Sequence, residues 1–416
     1  MKKLNKSKSH ILKTYKEFKY PLIKPRLFKD DIRKGISVLK SGQITMSKIT
    51  RKFEKDFAKY IGAKYALMVN SGSSANLLAT CASCNPERKT IFKRNDEVLI
   101  PGICWSTSLW PLIQFGLKPV FVDVDPLTLN MDLEDLKKKI TKKTKVIFSV
   151  HVLGNSANIE SIKKISQKKK LILIEDTCES LGSTFKKKKL GTFGDFGTFS
   201  FYYSHQISSG EGGMIVCNNR KDYRILLSLR AHGWSRDRDD HKKFVNKYPK
   251  IDQRFIFINY GFNLRPLEIQ AAIARQQLKK INTFKMNRNF NRSKIIKFFK
   301  KKKVNNHKLQ FIESAPNVDC SWFGIPMLVS KNLKSKKTDI IAEIEKKGIE
   351  TRPIISGNFI NQPSIKLFKL NKKKIKLKNC QDVEDRGFFI GIDSSKAKLE
   401  TLKFVAKSLN NVLENY

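Results

Sequence analysis

Apolar residues recur at helical spacing over residues 29–41 and 48–61, and the second stretch carries Ile49, Phe53, Phe57 and Ile61 on one face. From 65 to 230 the pattern changes. Short apolar runs predict strands at 65–69, 97–100, 118–122, 146–152, 171–175, 198–202 and 213–216. Helical patterns at 74–84, 105–115, 132–140, 158–168 and 220–231 separate them. Such alternation predicts an α/β fold, with a mostly parallel sheet covered by helices on both faces. One long helix, or two, follows over 265–300. A smaller α+β unit comes after it, with a strand at 321–329, a helix at 337–347, a strand at 349–355 and a closing helix at 397–413. The expected organisation is a basic arm over 1–19, a large domain over 20–285 and a small domain over 286–416.

Composition narrows the picture only in part. The 416 residues are 40% hydrophobic, enough for a sizeable core. Lys+Arg is 83 and Asp+Glu is 37, a net charge of +46. Such a charge suits an acidic partner such as nucleic acid, an anionic membrane or a phosphorylated substrate. It is explained at least as well by solvated lysines. The runs 137–139, 168–170, 186–189, 300–303 and 372–374 fall at element ends, and no Arg-rich clusters interleave with aromatics. No nucleic-acid or membrane partner is therefore expected. The seven cysteines are scattered and odd in number, which argues against a disulfide framework. Cys81 and Cys84 form one C-x-x-C in an apolar helical stretch, with no second pair to complete a zinc site, so no metal is expected. The first residues lack a signal-peptide core, and no run of 18 apolar residues exists. The default is a reduced, cytoplasmic protein.

Three constellations carry chemistry. Asn70-Ser71-Gly72-Ser73-Ser74-Ala75-Asn76 ends a strand and starts a helix. Its backbone N–H groups and hydroxyls suit a phosphate, although a plain helix cap reads the same way. Leu171-Ile172-Leu173-Ile174-Glu175-Asp176 delivers two carboxylates to a strand end, where open α/β sheets bind ligands. Those acids suit a metal, a ribose hydroxyl, a protonated heterocycle nitrogen or, again, a helix cap. Thr198–His205 and then Ser208–Gly213 run from an aromatic strand into small-residue turns, placing His205 just past a strand end.

Together these pieces resemble the sugar aminotransferases of the DegT/DnrJ/EryC1/StrS family, which use pyridoxal 5'-phosphate (PLP). The likeness runs from about Tyr20 to the C-terminus and includes Gly42-Gln43-Ile44-Thr45-Met46 and the segment Gly194–Gly213. The resemblance implies an aspartate-aminotransferase type fold (PLP fold type I). Its large domain has a mixed seven-stranded sheet with helices on both faces. In that family the last segment carries a lysine that holds the cofactor covalently. Here the position is His205, and Lys186–Lys189 do not match the motif. The substitution resembles the 3-dehydratases of nucleotide-linked 4-keto-6-deoxysugars. Arg230-Ala231-His232-Gly233-Trp234, Gly261–Glu268, Ser321-Trp322-Phe323-Gly324 and Arg352–Phe359 agree with that branch. A sister branch acts on a CDP-sugar and binds an iron–sulfur cluster through cysteines after the His-Gly-Trp region. Residues 232–290 contain no Cys, which disfavours it. A second histidine often follows the catalytic one in these enzymes, and here that position is Gln206.

The resemblance implies a site, residue by residue. Gly72, Ser73 and Ser200 contact the cofactor phosphate, Trp105 stacks on the pyridine ring, and Asp176 pairs with the ring nitrogen. His205 moves protons, and without a lysine the PLP or pyridoxamine phosphate stays non-covalent. Asn263 reaches the phosphate of a neighbouring subunit, which implies a homodimer. Arg265, Arg352 and His232 bind the carboxylates of glutamate, the amino donor. The implied substrate is GDP-4-keto-6-deoxymannose, on the way to a cell-surface polysaccharide deoxysugar. A sugar aminotransferase, a cluster-free CDP-sugar dehydrase and a non-catalytic basic binding protein remain as alternatives.

Overall fold

The computed structural model describes residues 18–24, 27–88, 92–371 and 375–416. Residues 1–17 of the basic arm and the lysine run 372–374 lie outside them. Helices α1 (Lys29–Ser41) and α2 (Lys48–Ile61) form where the periodicity places them. Phe53, Phe57 and Ile61 are buried on the inner face of α2. There Phe57 packs on Phe199 with ring centroids 5.1 Å apart. Glycines 42 and 62, both at positive φ, terminate the two helices in left-handed caps.

The large sheet has seven strands: β1 (Tyr65–Val69), β2 (Glu97–Pro101), β3 (Lys118–Val122), β4 (Thr144–Val150), β5 (Ile172–Asp176), β6 (Phe196–Ser200) and β7 (Gly213–Cys217). Their spatial order is β1-β7-β6-β5-β4-β2-β3. All neighbours run parallel except β7, which is antiparallel to both β1 and β6. The exception has a local cause. Residues 201–212 join β6 to β7 without a helix, so the chain turns straight back instead of crossing over. That turn carries His205. It is tied by Phe201 N to Gly212 O (2.8 Å), Tyr203 N to Gly210 O (3.0 Å) and Ser209 N to Phe201 O (3.0 Å).

Helices α3 (Gly72–Ser83) and α4 (Ser106–Gln114) start directly after β1 and shortly after β2. Their N-termini therefore lie at the same edge of the sheet as the C-terminal ends of β5 and β6, where such sheets bind ligands.

The segment 265–300 folds as two helices, Glu268–Leu278 and Ile281–Lys300. The expected domain boundary at 285/286 falls inside the second. Beyond it lies a four-stranded antiparallel sheet, in the order Leu309–Phe311, Ile325–Val329, Gly387–Ile390, Thr351–Arg352. The strand expected over 321–329 begins at Ile325, and the one expected over 349–355 shortens to two residues. Helix Lys378–Arg386 has only Cys380, Val383 and Arg386 buried, too weak a stripe to read from sequence.

Candidate active site

A cavity of about 340 Å³ opens where these strand ends and helix starts converge. Six of the expected residues line it: Gly72, Ser73, Trp105, Asp176, Ser200 and His205.

The two carboxylates at the end of β5 part company, because successive strand residues face opposite sides. Glu175 points away from the cavity. It accepts hydrogen bonds from the backbone N–H groups of Gly191 (2.9 Å), Phe193 (2.6 Å) and Gly194 (2.7 Å), and it meets His151 Nε2 at 3.1 Å. It is a structural anchor. Asp176 faces the cavity and is buried. Its Oδ2 accepts from Asn76 Nδ2 (2.8 Å) and Ser108 Oγ (2.7 Å), and its Oδ1 accepts from Cys178 N (3.1 Å). Thr198 in turn donates to Asn76 Oδ1 at 2.6 Å and orients that amide. Three donors leave one of about four lone-pair positions of the carboxylate free.

The turn after β1 serves both readings at once. Ser71 Oγ caps α3 by accepting from Ser74 N at 3.1 Å. Gly72 and Ser73 then open the helix with their backbone N–H groups at the cavity. Ser73 Oγ lies 2.9 Å from Thr107 Oγ1, linking the starts of α3 and α4. Gly72 is obligatory here, since a Cβ would sit 2.6 Å from Ser200 Cβ. Trp105 caps α4 and is 57% exposed, an unusual cost for a large ring at a cavity wall. A flat ligand stacked on it would remove that exposure.

His205 is half-buried, with its Nδ1 buried and lacking a partner. Its ring packs 5.3 Å from Phe323 and 6.2 Å from Tyr202. Burial first, and the charge of Arg288 second, push its pKa down to about 3, so the imidazole is neutral at physiological pH. Gln206 turns the other way, donating to the carbonyls of Glu179 and Ser321. The cavity contains no lysine or arginine among its described residues. Lys186 pairs with Glu160, while Lys188 and Lys189 lie over the rings of Phe193 and Tyr60.

Glu179, Glu211 and Phe323 are among the lining residues not expected as site residues from the sequence. Glu179 accepts from Leu153 N at 2.9 Å, and burial raises its pKa to about 7. Its signal was the spacing of three from Asp176. Glu211 lies in the Gly-rich turn, and Phe323 enters from the C-terminal part of the chain. The other four expected residues stand outside the cavity wall. His232, Asn263 and Arg265 cluster around Trp234, with Arg265 Nε donating to Asn263 Oδ1 at 2.9 Å and His232 5.0 Å from the indole. Arg352 is exposed and pairs with Glu350 at 2.8 Å.

The residues present fit a non-covalent PLP. A buried carboxylate with a free lone pair meets a ring N–H, an exposed indole offers a stacking face, and a helix start offers N–H groups to a phosphate. Among the described residues, no group of His, Cys, Asp and Glu is placed to hold a metal ion. The seven cysteines are free thiols.

Comparison with known proteins agrees with this geometry. The profile of the DegT/DnrJ/EryC1/StrS aminotransferase family matches residues 25–410. GDP-4-keto-6-deoxy-D-mannose 3-dehydratase of Escherichia coli O55:H7 is 39% identical over 358 residues, 85% of this chain and 90% of the relative. The solved structure of the E. coli enzyme with bound hydrated PLP superposes with a TM-score of 0.85 at 35% identity, covering 94% of this chain and 99% of that one. Another structure of a GDP-4-keto-6-deoxymannose-3-dehydratase, with a trapped PLP-glutamate geminal diamine, gives 0.83 at 35% identity, covering 94% and 100%.

Proposed function

The chain belongs to the DegT/DnrJ/EryC1/StrS aminotransferase family, and from that premise we propose that it is a PLP-dependent 3-dehydratase of a nucleotide-linked 4-keto-6-deoxyhexose. The substrate is GDP-4-keto-6-deoxymannose, glutamate is the amino donor, and the product serves cell-surface polysaccharide. One observation carries the reading: a neutral histidine, not a lysine, faces the cavity that Asp176 shares.

PLP supplies the amine carrier and the electron sink when bound. The chain does the rest. Gly72, Ser73 and Ser200 hold the phosphate, Trp105 covers one ring face, and Asp176 keeps the ring nitrogen protonated. Neutral His205 accepts a proton and then returns it to the departing 3-hydroxyl oxygen, so that water leaves. It has no amine with which to capture the cofactor, so nothing completes an amino transfer to the sugar.

Charge supports a homodimer. The cavity holds the carboxylates of Asp176, Glu179 and Glu211 and no cationic Lys or Arg, yet it must take a phosphate and a dicarboxylate. Asn263, Arg265 and His232 of a second copy supply that polarity. The outer face of α1, with Ile32, Ile36 and Leu39 each about half exposed, provides an apolar contact for it. Arg352 binds the remaining carboxylate. The enzyme works in the cytoplasm, and no described helix is long and apolar enough to cross a membrane.

The test is stoichiometric. With glutamate and GDP-4-keto-6-deoxymannose the protein releases ammonia and 2-oxoglutarate in equal amounts. Accumulation of a GDP-linked amino sugar instead would establish the aminotransferase alternative.

A further inference from the structure

A second, small cavity of about 20 Å³ lies beside the first and shares Ser204 and Phe323 with it. Its most unusual wall is Arg288, from the Ile281–Lys300 helix, a guanidinium only 6% exposed. Burying a cation is costly unless it is well paired. Arg288 Nη1 donates to the carbonyls of Trp322 and Phe323, both at 3.2 Å, and its Nε is buried without a partner. Burial lowers its pKa to about 10, so it remains charged at neutral pH.

The two carbonyls and the Asp393 carboxylate hold the guanidinium in place. The carbonyl of Phe323 also connects Arg288 to the reaction centre, because the ring of the same residue packs 5.3 Å from His205. On the cavity side the imidazole faces Asp176, Glu179, Glu211 and His151. The adjoining small cavity is walled by Arg288, Asp393 and Lys24, with Lys24 Nζ 3.9 Å from Asp393. Tyr20 adds a buried hydroxyl that feels both Arg288 and Asp393. The carboxylates of Asp176 and Glu211, and Glu179 when ionised, favour a protonated imidazole, which cannot act as a base. A cation in the wall of the adjoining cavity counters them.

We propose that Arg288 is a positioning residue for the dehydration step. It clamps Phe323 against His205, and its charge holds that imidazole in the neutral, proton-accepting form. The inference rests on the reading of His205 as the base.

The experiment is an NMR titration of the full chain, with ¹³C-labelled histidine, with and without added PLP. The chain has six histidines, and the His205 signal is the one lost in His205→Asn. In the wild type that signal stays neutral down to about pH 5. In Arg288→Gln, which still donates to the carbonyls but is uncharged, its midpoint rises by about 1 unit, the lower end of what a neighbouring charge produces, since burial is the larger cause. The acid limb of kcat moves up with it. Arg288→Lys keeps the charge and the wild-type midpoint. Arg288→Met is the neutral variant if Arg288→Gln does not fold. An unmoved midpoint in a folded neutral variant overturns the proposal, as does an equal rise in Arg288→Lys. Failure of the underlying reading shows separately, as wild-type dehydration by His205→Asn.

Discussion

Replacing His205 by Asn should make the protein more tolerant of acid while disabling it. The folded chain holds this imidazole neutral, with a pKa near 3 against 6.5 for the free group. As pH falls below about 6.5 the unfolded chain takes up a proton that the folded chain refuses, so folding stability declines. Each pH unit costs about 1.4 kcal/mol until the folded pKa is reached. Between neutrality and about pH 5 the accumulated loss is at most about 2 kcal/mol from this one residue. The Asn variant lacks the titrating group and loses that slope. Urea unfolding of cofactor-stripped wild type and variant, near pH 7.5 and near pH 5, reads the difference directly. The variant's stability should fall less on acidification, by up to that amount. Parallel losses in the two proteins would show that the fold does not hold His205 neutral. The same variant should dehydrate the sugar at least about 100-fold more slowly, because general acid–base catalysis is commonly worth that much.

Asp176→Asn should weaken cofactor binding by about 10- to 100-fold, the equivalent of one charge-assisted hydrogen bond, measured by cofactor absorbance after dialysis. Gly72→Ala should destabilise the fold by about 1–3 kcal/mol and reduce cofactor retention, since the new methyl collides with Ser200. Borohydride treatment of the PLP-loaded wild type should leave no cofactor on any lysine peptide, whereas His205→Lys should be labelled at residue 205, with a shifted absorbance and suppressed dehydration. Binding to duplex DNA should be weak and lost at moderate salt, because non-specific phosphate contacts are steeply salt-dependent. Tight binding at physiological salt would give the +46 charge a role.

Much of the architecture was legible locally. Alternating short apolar runs and helical stripes placed all seven strands of the large sheet within about two residues, because each element buries a face that its own sequence must mark. The turn at Ser71–Asn76, the strand-end Asp176 and His205 were legible for a related reason: small residues and lone polar groups stand out against apolar strands. Other features depended on the strand order β1-β7-β6-β5-β4-β2-β3, which no local window contains. That order brings residues 72, 105, 176, 200 and 205 around one cavity. It also leaves His232, Asn263, Arg265 and Arg352 outside the cavity wall. Helix Lys378–Arg386 carried too few apolar positions to announce itself, and strand Gly387–Ile390, apolar but only four residues long, takes its place from pairing with the neighbouring strand Ile325–Val329. Arg288 was invisible for the strongest reason. One of two arginines in a lysine-rich helix, it reads as solvated surface, and only its bonds to the carbonyls of Trp322 and Phe323 reveal it as a buried charge next to the active-site cavity.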